Sequence, residues 1–209
     1  MIRILLADDH SIVRRGIKQI LLEEFPDAQF GEAKDGIELS LLARTEKWNI
    51  VISDLAMPGR SGLESLKMLK EEFPNLPVLI LSMHPEDQYA IRAFRAGAAG
   101  YLTKESASDE LVNAVRKILE GRRYISPAAA EKLAENLEQN STGELHEILS
   151  DREFHVLKLI ASGKTVSEIA EMLSLSVTTI STYRARVLLK TNMKTNAELT
   201  YYAIENKLV

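Results

Sequence analysis

Ile2-Arg3-Ile4-Leu5-Leu6-Ala7-Asp8-Asp9 is a short apolar run that stops at two adjacent carboxylates. A strand buried on both faces of a parallel sheet reads this way. Comparable runs recur at Ile50–Ile52 and Val78–Leu81, with weaker ones at Gln29–Ala33 and Gly100–Leu102. Helical patterns lie between them. Val13, Ile17, Ile20 and Leu21 share one helix face, Leu66, Leu69 and Phe73 another, and Leu111, Val115, Ile118 and Leu119 a third. Alternation of strand and helix five times predicts an α/β, doubly wound, five-stranded parallel sheet over residues 1–120.

The register changes after Gly121-Arg122-Arg123. Ser126-Pro127 is a good helix start, a capping hydroxyl followed by proline in the first turn. Leu133 and Leu137 give a short amphipathic helix, Asn140-Ser141-Thr142-Gly143 reads as a loop, and 121–147 is expected to be a partly helical linker. From 148 to 209 the chain is helical with repeated caps. Ser150-x-x-Glu153 and Thr165-x-x-Glu168 fit the capping box, and Ser176 and Asn196 are candidate N-caps. Four short helices here predict a small all-α domain.

The chain has 209 residues, 45% hydrophobic and 27% charged, a soluble globular composition with room for two domains. It has no cysteine, which excludes disulfides and cysteine-ligated zinc and fits a reducing cytoplasm. No apolar stretch has the length of a membrane span, so no membrane partner is expected. The net charge of −4 is unevenly spread. Residues 148–209 hold eight Lys/Arg against six Asp/Glu, whereas the rest holds eighteen against twenty-four. Only the second part suits a phosphate backbone.

In a doubly wound sheet, function gathers at the carboxyl ends of the strands. Those ends carry Asp8-Asp9, Asp54, Ser82 and the run Tyr101 to Lys104. Acidic residues at strand ends are often only turn formers, but matched chemistry at five positions outweighs that. Three converging carboxylates repel unless a cation sits among them, and an all-oxygen ligand set suits Mg²⁺. The cation and a lysine ammonium together neutralise an incoming phosphoryl group, leaving one carboxylate to act as nucleophile.

Leu6-Ala7-Asp8-Asp9-His10, Asp54-Leu55-Ala56-Met57-Pro58-Gly59, Leu81-Ser82 and Tyr101-Leu102-Thr103-Lys104 resemble the receiver domain of two-component response regulators, a flavodoxin-like fold. The resemblance implies that Asp54 accepts a phosphoryl group from a sensor histidine kinase. Asp9, Asp54 and the carbonyl of Ala56 would hold Mg²⁺, with Asp8 assisting through water. Ser82 would bond a phosphoryl oxygen, Lys104 would pair with it, and Tyr101 would reorient when Ser82 moves. Glu105 stands where many single-domain receivers have proline. His10 and His84 are read as a helix-opening residue and a loop residue, and Trp48 as packing.

Thr165–Leu173, the turn Ser174-Leu175-Ser176, and Val177 to about Asn192 have helix-turn-helix spacing. Ala170 is small where the helices would cross, and Ile169, Leu173, Ile180 and Val187 would be buried. Between Val177 and Lys194 there is no Asp or Glu, but there are Arg184, Arg186, Lys190 and Lys194, with Thr178, Ser181 and Thr182 pointing outward. Slim polar side chains near base edges and cations near phosphates are what a major-groove helix needs.

Leu149-Ser150-x-Arg152-Glu153, Glu168-Ile169-Ala170-x-x-Leu173 and Thr179-Ile180-Ser181-Thr182-Tyr183-Arg184 resemble the LuxR-type domain of NarL/FixJ regulators. By position, Ser181, Thr182 and Ala185 would face bases. Thr179, Tyr183, Arg184, Arg186 and Lys190 would lie nearer the backbone of double-stranded DNA. Tyr183 replaces a common histidine, and Thr191 and Met193 replace apolar residues. The last helix, with Leu199, Tyr202 and Ala203, would serve the core and a homodimer contact.

The resulting expectation is a phosphorylation-dependent transcriptional regulator that dimerises when phosphorylated and is no enzyme beyond phosphoryl acceptance and slow self-dephosphorylation. Phosphoaspartyl phosphatases are the rival class, but they need Asp-x-Asp after the first strand, where this chain has adjacent Asp8-Asp9. A second rival, an output domain that binds protein, is opposed by the basic helix.

Overall fold

The computed structural model describes residues 1–57, 62–138, 145–206 and 208–209. The loop expected at 140–143 and the Pro58-Gly59 part of the acidic motif lie outside them. Contacts divide the chain into two compact units, Met1–Glu138 and Gln139–Val209.

In the first unit β1 (Arg3–Ala7), β2 (Gln29–Ala33), β3 (Ile50–Asp54), β4 (Val78–Ser82) and β5 (Gly100–Thr103) form one parallel sheet. The strand order is β2-β1-β3-β4-β5. β3 and β4 are buried along their whole length, as is β1 beyond Arg3, and this is why their sequences are nearly continuous apolar runs. β2 is an edge strand in which only Ala33 is buried, hence its weaker signal.

One sheet face packs Ile4, Leu6, Ile50, Ile52, Leu79 and Leu81 against Ile17 and Leu21 of α1 (Ser11–Glu24) and Leu111, Val115 and Ile118 of α5 (Ala107–Leu119). The intervening strand residues point the other way. That side is covered by α2 (Gly36–Thr45), α3 (Gly62–Glu72) and α4 (Glu86–Arg95), which bury Leu39, Leu66, Leu69, Tyr89 and Ala93. Trp48 is a packing residue, as expected: its Nε1 donates to the Leu42 carbonyl at 2.9 Å, and a Cβ at Gly31 would meet its ring at 2.4 Å.

The segment from 121 was expected to be a partly helical linker; its helix forms at Pro127–Glu138, and as far as Glu138 the segment packs with the first unit. Tyr124 bridges to Gly100 in parallel, extending the sheet beyond β5, and its side chain is buried. Ser126 then caps α6 (Pro127–Glu138), its Oγ accepting from the Ala129 N–H at 3.1 Å, and α6 packs on α4. The physical reason is burial: Tyr124, Ser126 and Ala129 are all enclosed, which a solvated linker would not allow.

In the second unit a 3₁₀ turn (Leu145–Ile148) precedes α7 (Asp151–Ala161), α8 (Val166–Met172), α9 (Val177–Thr191) and α10 (Asn196–Glu205). Both expected capping boxes form, and Ser176 caps α9 by accepting from Thr179 N–H. The fourth cap is one residue earlier than expected. Thr195, not Asn196, accepts from Glu198 N–H, because the Glu198 carboxylate turns back to Lys194 N–H and draws the box forward. Phe154, Leu157, Ile169, Ile180, Val187 and Leu199 form the core. Leu173, expected among them, is only half-buried. Buried Thr191, polar where an apolar side chain would fit, is satisfied by donating to the Val187 carbonyl at 2.8 Å. Among the described residues, no helix is long and apolar enough to cross a membrane.

Candidate functional site

The strand order reverses between β1 and β3, whose next neighbours lie on opposite sides, so a crevice opens at their carboxyl ends. Register fills it. Ala7 pairs with Ser53, which sets Asp8 beside Asp54, and the pairs Asp54–Leu81 and Ser82–Thr103 bring Ser82 and Lys104 to the same edge. Lys104 Nζ lies 2.6 Å from Asp8 Oδ2 and 2.8 Å from Asp54 Oδ2. Asp54 Oδ1 accepts the Ala56 N–H at 3.1 Å. Asp8 Oδ1 accepts the His10 N–H at 2.7 Å, and Arg14 donates to the Asp8 carbonyl at 2.6 Å. Asp9 is exposed at the rim, with its Oδ1 2.9 Å from His10 Nδ1.

These groups strain against one another electrostatically. Burial pushes the Asp54 carboxyl above its ordinary range, while Lys104 and the Ala56 N–H pull against it. Burial disfavours the charge on Lys104, but Asp54 and Asp8 outweigh it and hold the amine above its usual value. One atom each from Asp8, Asp9, His10 and Asp54 fall within 4.8 Å of one another. Carboxylate oxygens dominate that set, the donor chemistry of a hard divalent cation, so the residues present fit such an ion.

On β4, the buried Ser82 Oγ accepts the His84 N–H at 3.1 Å. Tyr101, wholly buried on β5, donates its hydroxyl to the His84 carbonyl at 2.9 Å.

In the second unit α8, the turn at Ser174 (φ 52°) and α9 make the helix-turn-helix. Thr178, Ser181, Thr182, Ala185 and Arg186 are exposed along α9, and Thr179, Tyr183 and Arg184 are half-buried. Arg184 Nε donates to Asn196 Oδ1 at 2.6 Å. Lys190 is engaged inward: its Nζ is 2.6 Å from the buried carboxylate of Glu153. Arg186 forms no ion pair among the described residues.

Residues 4–116 match the response regulator receiver domain family, and residues 147–203 match the luxR family of bacterial regulatory proteins. The chain belongs to the NarL/FixJ family of response regulators. It is similar along its whole length to the response regulator UvrY of Escherichia coli (36% identity, 96% of that protein). It is likewise similar to the response regulator GacA of Pseudomonas protegens (37% identity over the whole chain, 98% of that protein). Among solved structures, RcsB of Salmonella enterica bound to a promoter in the presence of the phosphomimetic BeF₃⁻ matches with 27% identity and a TM-score of 0.60. That match covers 96% of this chain and 97% of that one. The architecture, a receiver followed by a LuxR-type domain, is that of a transcription regulator.

Within this response regulator the structure brings Asp8, Asp9, Asp54, Ala56 and Lys104 together, and places Ser82 and Tyr101 on neighbouring strands. Sequence reasoning missed three contributors. His84, read as a plain loop residue, donates its N–H to Ser82 Oγ, accepts the Tyr101 hydroxyl at its carbonyl and stacks its ring on Tyr89 at 4.5 Å. Arg14 gave no signal beyond being a cation in the first turn of α1. Gly62 could have been noticed as a glycine opening a helix. A Cβ there would lie 2.3 Å from the Asp54 carbonyl and 2.6 Å from Leu55 Cα, so only glycine lets α3 approach the end of β3.

Proposed function

We propose that Asp54 accepts a phosphoryl group from the phosphohistidine of a sensor kinase and that this controls dimerisation and binding of double-stranded DNA by the C-terminal domain, in the cytoplasm. The observation that carries the reading is Lys104 bridging Asp8 and a buried Asp54 at the switch point of the sheet. Functionally we divide the chain into a receiver (1–120), a connector (121–147) and a DNA-binding domain (148–209).

Asp54 supplies the nucleophilic oxygen. Its bond to phosphorus forms as the kinase's P–N bond breaks and the imidazole leaves. Asp9, Asp54 and the Ala56 carbonyl, with Asp8 assisting, would hold Mg²⁺, which would supply charge neutralisation for the phosphoryl oxygens. Lys104 exchanges a carboxylate for a phosphoryl oxygen, which its position between two acceptors allows. Ser82 releases the His84 N–H to donate its hydroxyl to another phosphoryl oxygen, and Tyr101, bonded to the same His84, follows. The acyl phosphate carries about two negative charges where the carboxylate carried one, and adds three acceptor oxygens where the chain already concentrates acids, which biases the β4-α4-β5 region.

On the DNA side, α9 enters the major groove. Ser181, Thr182 and Ala185 face bases, with the slim, exposed Thr178 beside them; Thr179, Tyr183, Arg184 and Arg186 stand towards the backbone. Lys190 reaches phosphate only by leaving Glu153, so it contributes less than its sequence position implies. Few bidentate readers are present, and specificity relies on dimerisation and DNA shape. The promoter-bound RcsB structures support this reading.

Incubation with a small-molecule phosphodonor and Mg²⁺, followed by mass spectrometry, tests the acceptor. One phosphoryl group located on Asp54, absent in Asp54→Ala and without Mg²⁺, is expected. Label on another residue, or turnover of a soluble phosphoester, contradicts it.

A further inference from the structure

The connector begins as part of the receiver. After β5 and α5 the chain returns to the sheet at Tyr124, whose N–H donates to the Ala99 carbonyl at 2.9 Å and whose hydroxyl donates to Glu110 at 2.7 Å. Two residues later the buried Ser126 makes two bonds with one hydroxyl. It donates to Glu86 Oε2 at 2.6 Å and accepts from the Ala129 N–H at 3.1 Å. Glu86 is the first residue of α4, and Ser126 is the residue before α6. Ala129, in the first turn of α6, has no exposed surface, and α6 packs on α4. The start of α6 is thus fixed to the start of α4.

The start of α4 is in turn fixed to the phosphoacceptor pocket. His84 stands two residues before Glu86 and is held from three directions: its N–H by Ser82, its carbonyl by Tyr101, and its ring by Tyr89 of α4. A rotation of Ser82 that carries its Oγ to a phosphoryl oxygen takes that oxygen away from the His84 N–H. With that rotation the backbone at His84 shifts or loses a part-buried hydrogen bond.

We infer that α6 is the lever by which the receiver acts on the rest of the chain: His84 ties α4 to Ser82, and the Glu86–Ser126 hydrogen bond ties α6 to α4. This rests on the proposed phosphorylation of Asp54 and adds the route by which that event leaves the pocket. Glu86 and Ser126 are positioning residues that touch neither phosphoryl group nor cation. Contiguous packed and hydrogen-bonded contacts of this kind can carry a local change to a distant element.

The test is hydrogen exchange on the full chain with Mg²⁺, with and without beryllofluoride, followed at 83–86 and at 127–133. In the wild type, beryllofluoride changes exchange in both segments. Glu86→Ala leaves the Ser126 cap on Ala129 intact and so keeps α6 helical. It retains the response at 83–86 and loses about tenfold of the response at 127–133, the equivalent of one hydrogen bond. Glu86→Gln, which keeps an acceptor oxygen, restores it. Ser126→Thr, which keeps a hydroxyl for both bonds, behaves as wild type.

A wild-type-sized α6 response in Glu86→Ala, or no rescue by Glu86→Gln, overturns the lever. So does a wild-type response at 83–86 with none at 127–133, which leaves the phosphorylation reading standing. No response at 83–86 in the wild type removes both.

Discussion

Lys104→Met removes a cation that is only 11% exposed and touches two carboxylates that are each 3% exposed. Asp8 and Asp54 lose a charge-assisted hydrogen bond apiece and are left facing one another. Methionine has similar length, so packing is nearly conserved and the effect is electrostatic. Breaking a buried pair by removing one partner costs about 3–5 kcal/mol. For a unit of this size that lowers the melting temperature by about 10–20 °C.

The cost responds to cations and protons in a defined direction. A divalent cation replaces the missing charge, and at one hundred times its Kd it returns about 2.7 kcal/mol. Mg²⁺ therefore raises the melting temperature of Lys104→Met more than that of the wild type. Burial already holds the Asp54 carboxyl above its ordinary value. A raised carboxyl contributes stability that is present at low pH and lost as pH rises through its folded value. The deficit of Lys104→Met is accordingly largest at neutral pH and shrinks on mild acidification. Calorimetry of both proteins across pH 5 to 8, with and without Mg²⁺, measures all three effects. A variant that melts with the wild type at neutral pH, and is indifferent to Mg²⁺, would refute the electrostatic account of the pocket.

Other outcomes follow from single contacts. Gly62→Ala sets a methyl group 2.3 Å from the Asp54 carbonyl, so denaturant unfolding should show a loss of about 1–3 kcal/mol and Mg²⁺ titration a weaker affinity; unchanged values would mean that the turn yields freely. In Glu153, burial pushes the carboxyl up, but Lys190 and the Ser150 N–H prevail and hold it below the ordinary range. Its stabilisation is present above about pH 4.3 and is lost as pH falls through the depressed folded value, so the gap between wild type and Glu153→Gln should close on acidification. Glu153→Ala, which also forfeits the capping box, should cost about 2–3 kcal/mol in chemical denaturation. Arg186→Ala should weaken binding to all duplexes and reduce the slope of log K against log salt by about 0.9, whereas Thr182→Ala should reduce discrimination between duplexes and leave that slope alone.

Much of this was legible in the sequence because the governing patterns are local. The doubly buried strands β1, β3 and β4 are unbroken apolar runs, and Ser150, Thr165 and Ser176 announce their helices through caps that need only three residues to recognise. The pocket was legible because a parallel sheet delivers every strand end to one edge, so Asp8, Asp54, Ser82 and Lys104 had to meet once the strands were placed. What escaped depends on tertiary contact. The docking of α6 on α4 rests on buried Ala129 and the Ser126–Glu86 bond, forty residues apart, and no periodicity reports it. Lys190 looked like a phosphate ligand because its partner Glu153 lies two helices earlier. His84 acts through its backbone and ring face, neither of which its residue type predicts.

The central claim is that occupancy of Asp54 governs DNA binding. It is tested most directly by selecting genomic DNA fragments with the full chain, with and without Mg²⁺ and beryllofluoride, alongside Asp54→Ala. The account predicts enrichment of defined sites that requires the mimic and vanishes in Asp54→Ala. Equal enrichment with and without the mimic, or in Asp54→Ala, would contradict it.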